Sequence, residues 1–264
     1  TARSRGLGDV YKRQIEIYSN ISENYRSVTF ADISIINPAF SINPDISDER
    51  GNTIDLGIRG NINKLISYDL TLFNLNYKDR IGFAQKEFKD GSVKSERGNI
   101  GDAIIYGLES NIDFDINNLI IKNDNIGLNV FLNTAIIDSE YIRSEENGVI
   151  GKKVEFVPNY NIKTGIKLGI GNFIFNTQYS HVSTQFTDSS NAREGNISGI
   201  IGEIPGYSLL DFSIAYRLKK IKIETGINNL TNTYYFTRRA TGYPGPGIIP
   251  SPPRNTYITL QIRL

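Results

Sequence analysis

The chain has 264 residues and a formal net charge of +1 at pH 7, with 29 basic and 28 acidic side chains. This near balance argues against a nucleic-acid-binding protein, which needs a basic stripe. Cysteine is absent, which excludes disulfides, thiol catalysis and cysteine-ligated metals. No run of about 18 or more apolar residues occurs, so the sequence predicts neither a transmembrane helix nor a secretory signal.

The first 14 residues, Thr1–Gln14, differ from everything that follows them. This segment is basic, lacks any alternation and leads abruptly into Ile15. It resembles a translated adapter sequence, and the alternative is a native basic loop. We expect residues 1–14 to be non-native and residues 15–264 to form one structural unit. Because methionine is also absent, we expect the chain to be a fragment or a processed product.

Alternation of apolar and polar residues then predicts ten strands. On Leu210–Leu218 the apolar side chains Leu210, Phe212 and Ile214 occupy one face, and Asp211 and Ser213 the other, because successive side chains of a strand point to opposite faces. The predicted strands are Ile15–Tyr25, Thr53–Ile62, Ile66–Gly82, Ala103–Ile116, Ile126–Ile142, Tyr160–Ile170, Phe173–Phe186, Tyr207–Leu218, Ile221–Tyr235 and Thr256–Leu264.

The lengths of the strands and of their connections indicate a membrane protein. Strands in soluble sheets have about five or six residues, whereas a tilted strand needs about 9–11 residues to cross a bilayer. Short and long connections alternate strictly, as in outer-membrane barrels. The short ones are Asn63–Leu65, Asn117–Asn125, Gly171–Asn172 and Lys219–Lys220. The long ones are Ser27–Asn52, Phe83–Asp102, Arg143–Asn159, Thr187–Gly206 and Thr237–Asn255.

The sequence therefore predicts an all-β fold: a transmembrane antiparallel β-barrel with apolar side chains toward lipid and charged ones toward the lumen. Glu109, Asp113, Lys163 and Lys167 lie on the polar faces. Such groups would cost several kcal/mol each in the dry core of a sandwich, and a wet lumen removes that cost. A soluble sheet with a solvent-exposed polar face is the alternative. We interpret the ten strands as the last ten of a larger barrel.

Four segments carry a family resemblance. Gly226–Tyr235 (GINNLTNTYY) resembles the penultimate-strand signature of TonB-dependent outer-membrane receptors. The following Phe236–Gly247 (FTRRATGYPGPG) is similar to the last extracellular loop of ferric-citrate-type receptors in that family. Asn20–Arg26 with Val28–Asp32, and Asn37–Phe40, resemble the barrel of the same group. Family members usually end on an aromatic residue, whereas this chain ends on Leu264.

The resemblance implies a barrel of about 22 strands that is plugged by an N-terminal domain and lies in the bacterial outer membrane. It implies a transporter, not an enzyme, which takes up a ferric siderophore with energy from TonB, and ferric citrate is the cargo that we expect. The plug and TonB box are missing from this sequence, so this piece alone is not expected to transport. The expected partners are the ferric chelate, TonB, outer-membrane lipid and lipopolysaccharide, with no nucleic acid. No cofactor is expected, because ferric iron enters only as chelated cargo. Another siderophore, haem or an oligosaccharide is the alternative cargo, and a non-transporting surface β-protein is the other alternative.

Arginines in the long connections or at their edges are the candidate ligand-binding residues. An anionic ferric chelate is best held by forked guanidinium groups, and Arg238 and Arg239 form a tandem pair before a proline-rich loop. An alternative role for any one of these arginines is binding to lipopolysaccharide phosphates or solvation of the loop. The full set of candidates is Arg238, Arg239, Arg193, Arg254, Arg50 and Arg97.

Two other features do not predict a reactive site. His181 is the only histidine and cannot form a metal site alone, so we expect it at the membrane interface beside Tyr179. Asp113 and Asp115 lie on one face of a strand, and we expect them to line the lumen near the periplasmic end.

Overall fold

The computed structural model describes residues 15–34, 40–89, 91–123, 125–197, 199–240 and 246–263. Several predictions concern other residues and lie outside the described ranges. They concern the segment Thr1–Gln14, the resemblance of Asn37 to Ala39, residues 241–245 of the proline-rich loop, and the terminal Leu264.

The described residues form thirteen strands, one helical turn and one π-helical turn. The strands are β1 (Ile15–Arg26), β2 (Phe40–Ile42), β3 (Glu49–Ile62), β4 (Ile66–Glu87), β5 (Val93–Asp115), β6 (Ile126–Arg143), β7 (Tyr160–Ile170), β8 (Phe173–Val182), β9 (Tyr207–Leu218), β10 (Ile221–Asn228), β11 (Phe236–Ala240), β12 (Gly247–Pro250) and β13 (Asn255–Ile262). The helical turn α1 is Phe30–Ile33, and the π-helical turn is Asn117–Ile121. Within the described ranges, neither helical segment is long and apolar enough to cross a membrane.

Ten strands form one continuous antiparallel sheet in the order β1-β3-β4-β5-β6-β7-β8-β9-β10-β13. β2 joins the outer end of β5 in parallel, and β11 and β12 form a separate hairpin. Across the described residues, β1 and β13 remain the two edges of the sheet. The predicted all-β fold is therefore confirmed as part of a barrel wall that does not close on itself.

Two of the predicted long connections were partly wrong. β4 continues to Glu87 and β5 begins at Val93, so Phe83–Asp102 is mostly paired strand. The connection Ser27–Asn52 contains α1 and β2, and its last four residues belong to β3. Alternation failed to mark these extensions because they lie beyond the membrane, where backbone pairing continues without an apolar face.

Two predicted strand ends and one further predicted connection also differ from the structure. β8 ends at Val182, not at Phe186, and β10 ends at Asn228, not at Tyr235. The connection Thr237–Asn255 contains the β11–β12 hairpin. The predicted short turns are confirmed between the strands that they join, and Asn63 and Lys64 adopt the positive φ angles, 53° and 60°, that tight hairpin turns use.

The sheet exposes its apolar face. Ile21 is 78% exposed, Leu72 56% and Ile258 79%, and the strand register places such residues on one common side. The opposite side carries hydrogen-bonded polar groups, such as the Tyr18 hydroxyl on Asp69 at 2.6 Å. In water this arrangement would expose a large apolar area, so the apolar face is suited to lipid.

Aromatic side chains mark both edges of this apolar face. Along β5, Tyr106 and Phe114 are eight residues apart, or about 27 Å along the strand and about 20 Å of membrane depth at the usual tilt. Aromatic girdles occupy both interfaces of outer-membrane barrels. Those at the end with the long connections are Tyr25, Tyr106, Tyr160 and Tyr179, and those at the end with the short turns are Tyr68, Phe114, Phe173 and Tyr216.

The buried apolar core lies beyond the membrane-facing band, where three connections fold together. We call residues 27–48, 144–159 and 183–206, without 35–39 and 198, the outer cap. Val154 of the outer cap and Tyr141 at the outer end of β6 are fully buried in this core. Phe40 of the cap packs edge-on against Phe83 of β4 at 5.4 Å between ring centroids. The amide of Phe156 donates to the carbonyl of Phe186 at 2.9 Å, so the connections support one another.

We predict that a charge is tolerated on the lumen face and not on the apolar face. Leu72→Arg should lower the free energy of unfolding in lipid by about 2–4 kcal/mol, because the guanidinium would lie in the hydrocarbon layer. Asn111→Arg is the matched control, since Asn111 is exposed on the opposite face of the neighbouring strand. Urea unfolding in lipid vesicles measures both variants. Equal losses would contradict the assignment of the faces.

Candidate functional site: a polar pocket under the outer cap

A buried carboxylate joins the outer cap to the sheet. Asp32 on α1 is 3% exposed. Its oxygens accept hydrogen bonds from Arg26 Nη2 at 2.8 and 2.9 Å and from Arg97 Nη2 at 2.7 Å. The backbone amide and hydroxyl of Thr29 donate to the same group at 2.9 and 2.7 Å. One cap residue therefore binds the outer ends of β1 and β5.

These contacts decide the charge of Asp32. Burial alone would raise the pKa of Asp32, but the hydrogen bonds from Thr29, Arg97 and Arg26 hold it well below its usual range. Asp32 is therefore a carboxylate at every physiological pH, and charge-assisted bonds of this kind are about twice as strong as neutral ones.

A second set of charges lies beside Asp32. Glu49 accepts a hydrogen bond from the Ile81 amide at 2.9 Å and lies 3.7 Å from Arg26 Nη1. Arg80 Nη2 lies 3.8 Å from Glu155 Oε2, which also accepts the Tyr141 hydroxyl at 2.7 Å. Burial and the Glu155 carboxylate raise the pKa of Tyr141, so it remains a neutral donor.

A glycine makes room for Glu155. A Cβ atom at Gly82 would lie 2.7 Å from Glu155 Oε1 and 2.8 Å from Ile100 Cγ1. Any side chain at this position would therefore displace the carboxylate from the pocket.

Together these residues line a pocket of about 340 Å³ at the outer end of the lumen face. Its wall consists of Arg26, Glu49, Tyr77, Arg80, Ile81, Gly82, Phe83, Arg97, Glu155 and Phe156. We call it the outer pocket. Three of its polar atoms are buried without a hydrogen-bond partner: Arg26 Nη1, Arg80 Nε and Glu155 Oε1. Buried polar groups are normally satisfied, so the outer pocket offers two donors and one acceptor to a bound group.

The charges of this region balance. Arg26, Arg80 and Arg97 are matched by Asp32, Glu49 and Glu155. The guanidinium of Arg97 also lies 4.7 Å from the ring centroid of Phe83. The outer pocket therefore binds through directed hydrogen bonds and not through a net positive field.

The tandem arginines have different surroundings. Arg239 donates to the carbonyls of Gly199 and Glu203 at 2.8 and 2.9 Å and lies over the Phe236 ring at 5.3 Å. Arg239 thus fastens the β11–β12 hairpin to the outer cap. The side chain of Arg238 is exposed, and within the described part of the chain it has no ion pair.

The other predicted arginines do not form one cluster with this pair. Arg193 and Arg254 are exposed in connections. Arg97 lies in β5 and Arg50 in β3, so their placement in loops was wrong. Arg97 lines the outer pocket, whereas Arg50 lies on the apolar side of the sheet, opposite Tyr25. Their role in binding stays a prediction.

Sequence reasoning missed Arg26, Asp32, Glu49, Arg80 and Glu155 as site residues. A signal existed for the first two, because both belong to segments that carry the family resemblance. Glu49, Arg80 and Glu155 are brought together only by the folding of the cap over the sheet, and nothing in their spacing marks them.

The histidine and the two aspartates that the sequence singled out lie on the sheet or beside its turns. His181 Nδ1 lies 2.9 Å from the Ser208 hydroxyl, which also pairs with the Tyr179 hydroxyl at 2.9 Å. The location of His181 at the membrane interface stays a prediction. Asp113 lies on the lumen face opposite Ser67, near the short β3–β4 turn. Asp115 accepts a hydrogen bond from the Asn118 amide at 3.0 Å.

The segment Asn229–Asn232 (NLTN), which was predicted to continue a strand, forms a turn. Asn229 is 3% exposed and both accepts from the Thr233 amide and donates to the Thr233 carbonyl at 2.8 Å. The backbone amide of Asn229 donates to Asp211 Oδ1 at 2.8 Å. Asn229 and Asn232 have positive φ angles of 53° and 54°, which asparagine tolerates better than most residues. The motif therefore ends β10 and redirects the chain toward the β11–β12 hairpin.

This wall, with lipid-facing apolar residues and outer connections folded over a polar lumen face, defines an outer-membrane type of barrel. A family model described as "TonB dependent receptor-like, beta-barrel" matches residues 6–230. The chain belongs to this family, whose members are outer-membrane transport proteins of Gram-negative bacteria. The match begins within Thr1–Gln14, so the foreign origin of that segment stays a prediction.

Solved structures share the fold. The ferric citrate transporter FecA in its unliganded form superposes with a TM-score of 0.73 at 22% identity, covering 94% of this chain and 36% of that chain. The ferric yersiniabactin receptor FyuA from Yersinia pestis gives 0.66 at 18% identity, with 94% and 35% covered. The copper transporter OprC gives 0.68 at 17% identity, with 96% and 37% covered. The chain thus spans little more than a third of each of these proteins.

We predict that Asp32→Asn loosens the outer cap. The change leaves Arg26 and Arg97 without their shared anion and should cost about 2–3 kcal/mol of local stability. This cost is less than that of breaking a fully buried pair, because solvent partly screens the exposed Arg26. Chymotrypsin cleavage after Phe40, which is buried in the folded cap, should accelerate by at least about tenfold. Asp45→Asn, an exposed change in the same connection, is the control.

The lowered pKa of Asp32 decides how the stability of the outer cap changes with pH. A carboxyl whose pKa is lowered in the folded state contributes stability above its unfolded pKa of about 3.9 and loses it only as the pH falls through the folded value. The wild-type cap should therefore resist an acid-tolerant protease equally at pH 7 and at about pH 4. A gradual loss of resistance between pH 7 and pH 5 would contradict the assignment to Asp32.

Proposed function

We propose that residues 15–264 form the carboxy-terminal part of the barrel of a TonB-dependent receptor that imports a ferric siderophore. The outer pocket carries this proposal: it lies at the end of the lumen face that carries the long connections, and three buried polar atoms without a hydrogen-bond partner support a ligand there. Transport would further require a plug and a TonB-interacting segment, and TonB would be the energy-coupling partner. The role is that of a transporter and not an enzyme, and iron would enter as cargo without a resident cofactor.

Ferric citrate is our first candidate cargo. Arg238 offers an exposed guanidinium, and Arg239 holds the hairpin that presents it. Arg193 and Arg254 would add positive charge around the same outer surface. Planar guanidinium groups suit the carboxylates of a citrate complex.

A neutral siderophore is the second candidate, and the balanced charges of the outer pocket favour it. Two donors and one acceptor would suit a ligand group that carries both functions, such as a hydroxyl or hydroxamate. The two candidates differ in the residues that they use, Arg238 for the anion and Arg80 with Glu155 for the neutral group.

We predict that Arg238→Ala in the complete receptor weakens ferric citrate binding by about tenfold, because one charge-assisted hydrogen bond contributes about 1.5–3 kcal/mol. Arg239→Ala should also weaken binding, because Arg239 holds the hairpin that presents Arg238. Isothermal titration of the detergent-solubilised receptor measures both, with a neutral ferric hydroxamate as the second ligand.

Arg217→Ala is the matched control, because Arg217 is an exposed arginine at the opposite, short-turn end of the sheet. If ferric citrate affinity stays within a factor of two in both variants, the arginines do not bind the cargo anion. If both ligands weaken equally, the loss reflects loosening of the hairpin, and citrate is not the specific cargo.

We predict that the long connections are extracellular and the short turns periplasmic. The chain has no cysteine, so Ile197→Cys in the outer cap and Asn172→Cys in the β7–β8 turn supply single labelling sites, both exposed. A membrane-impermeant maleimide applied to intact cells should label Ile197→Cys only. Labelling of Asn172→Cys alone would reverse the orientation.

A further inference from the structure

Phe156 has a backbone conformation that its side chain disfavours. Its φ angle is 60°, in the left-handed region where residues with a bulky side chain are rare. Val154 before it is buried, and Val157 after it packs against the same core. The Phe156 amide also donates to the carbonyl of Phe186 at 2.9 Å. Strain of this kind persists only where the surrounding structure imposes it, and these contacts do so.

The ring of Phe156 gains little from the cap in return. Phe156 is 51% exposed, whereas the adjacent Glu155 is 4% exposed. Among the described residues, the ring neither pairs with another aromatic ring nor has a cation over its face. Glycine would adopt the same backbone without strain, and a half-exposed apolar side chain stabilises the fold only weakly. A ring at this position is therefore explained by a contact that the described chain does not itself supply.

Phe156 lines the outer pocket, together with polar atoms that lack partners. Glu155 Oε1 is a buried acceptor and Arg80 Nε is a buried donor, both without a hydrogen bond. The Glu155 side chain is 3% exposed, so its carboxylate is shielded from bulk water. The pocket thus combines apolar surface with a directed acceptor and a directed donor, as small-molecule sites commonly do.

The other described rings of the pocket already have cationic partners. The Arg80 guanidinium lies 5.7 Å from the Tyr77 ring centroid, and that of Arg97 lies 4.7 Å from the Phe83 centroid. Among the described rings that line the pocket, Phe156 therefore remains for a ligand. The cavity of about 340 Å³ is near the lower end of the usual range for small-molecule sites, about 300–1,000 Å³, so it suits one arm of a ferric chelate.

We propose that Phe156 is a specificity-determining residue of the outer pocket, which selects a cargo that carries an aryl amide arm. The aryl ring stacks on Phe156, the amide N–H donates to Glu155 Oε1, and the amide carbonyl accepts from Arg80 Nε. Aromatic pairs contribute affinity beyond the area that they bury. The imposed backbone fixes the ring before the cargo arrives, which lowers the ordering cost of binding. This inference rests on the proposed function of the outer pocket and names the chemical class of the arm that it takes.

The test uses the complete detergent-solubilised receptor and isothermal titration with two neutral probes. Both are ferric linear trihydroxamates whose terminal amine is acylated, one with a benzoyl and the other with an acetyl group. They differ only in a phenyl ring in place of a methyl group. The wild type should bind the benzoyl chelate about fivefold more tightly, which is the contribution of one aromatic pair. Phe156→Gly should bind both chelates equally, and Phe156→Tyr should retain the preference.

Phe156→Gly also separates recognition from folding. Because glycine relieves the left-handed backbone, the Val154 amide, which donates to the Ser139 hydroxyl at 3.2 Å, should exchange with deuterated water several-fold more slowly. Lys122→Gly is the matched control, since Lys122 has a φ angle of 54° and is exposed in the short β5–β6 connection. That change relieves similar strain at the opposite end of the sheet and should leave the preference for the benzoyl chelate intact.

A second variant keeps the test decisive if Phe156→Gly disturbs the cap. Phe156→Leu keeps an apolar side chain and the strained backbone but lacks the ring, and it should also lose the preference. An undiminished preference in both variants overturns the inference, as does equal affinity of the wild type for the two chelates, and binding itself then preserves the proposed function. Binding of ferric citrate with neither hydroxamate bound overturns the inference and keeps the receptor assignment. A wild type that binds none of the three overturns both.

Discussion

The structure depends on one constraint: inside a bilayer every backbone polar group must be paired within the protein. Long antiparallel strands meet it by uninterrupted pairing, as between β3 and β4 from Arg50 to Ile62. Successive side chains of each strand then lie on opposite faces of the sheet, and the apolar side chains lie on the face toward lipid. The usual relation of core to surface is thereby inverted, and Ile21 is exposed while Asp32 is buried.

Beyond the membrane the same chain is organised differently. Strand pairing continues into water as far as Glu87 and Val93, but stability there comes from a small apolar core and from buried ion pairs. Removing one member of a buried pair costs more than the pair contributes as a whole. Asp32, which holds two arginines, therefore fastens the outer cap to the wall.

Four arginines at this end of the protein have four different surroundings. Arg97 is neutralised in the outer pocket, Arg239 fastens the hairpin through two backbone carbonyls, and Arg238 is left exposed. Arg50 lies on the lipid side of the wall. The side chains are chemically identical, so their roles follow from which face of the sheet, or which neighbouring connection, each one meets.

The sequence by itself determined the membrane-facing part of this protein. Alternation predicted the strands from Tyr160 to Ile170 and from Tyr207 to Leu218 with correct ends, because lipid on one side and a wet lumen on the other impose the period on every residue. Outside the bilayer that constraint ends, so the extension of β4 and the turn at Asn229 were not predicted. The outer pocket was decided only by tertiary structure, since its charges come from connections far apart in the chain and acquire their partners when the cap folds over the sheet.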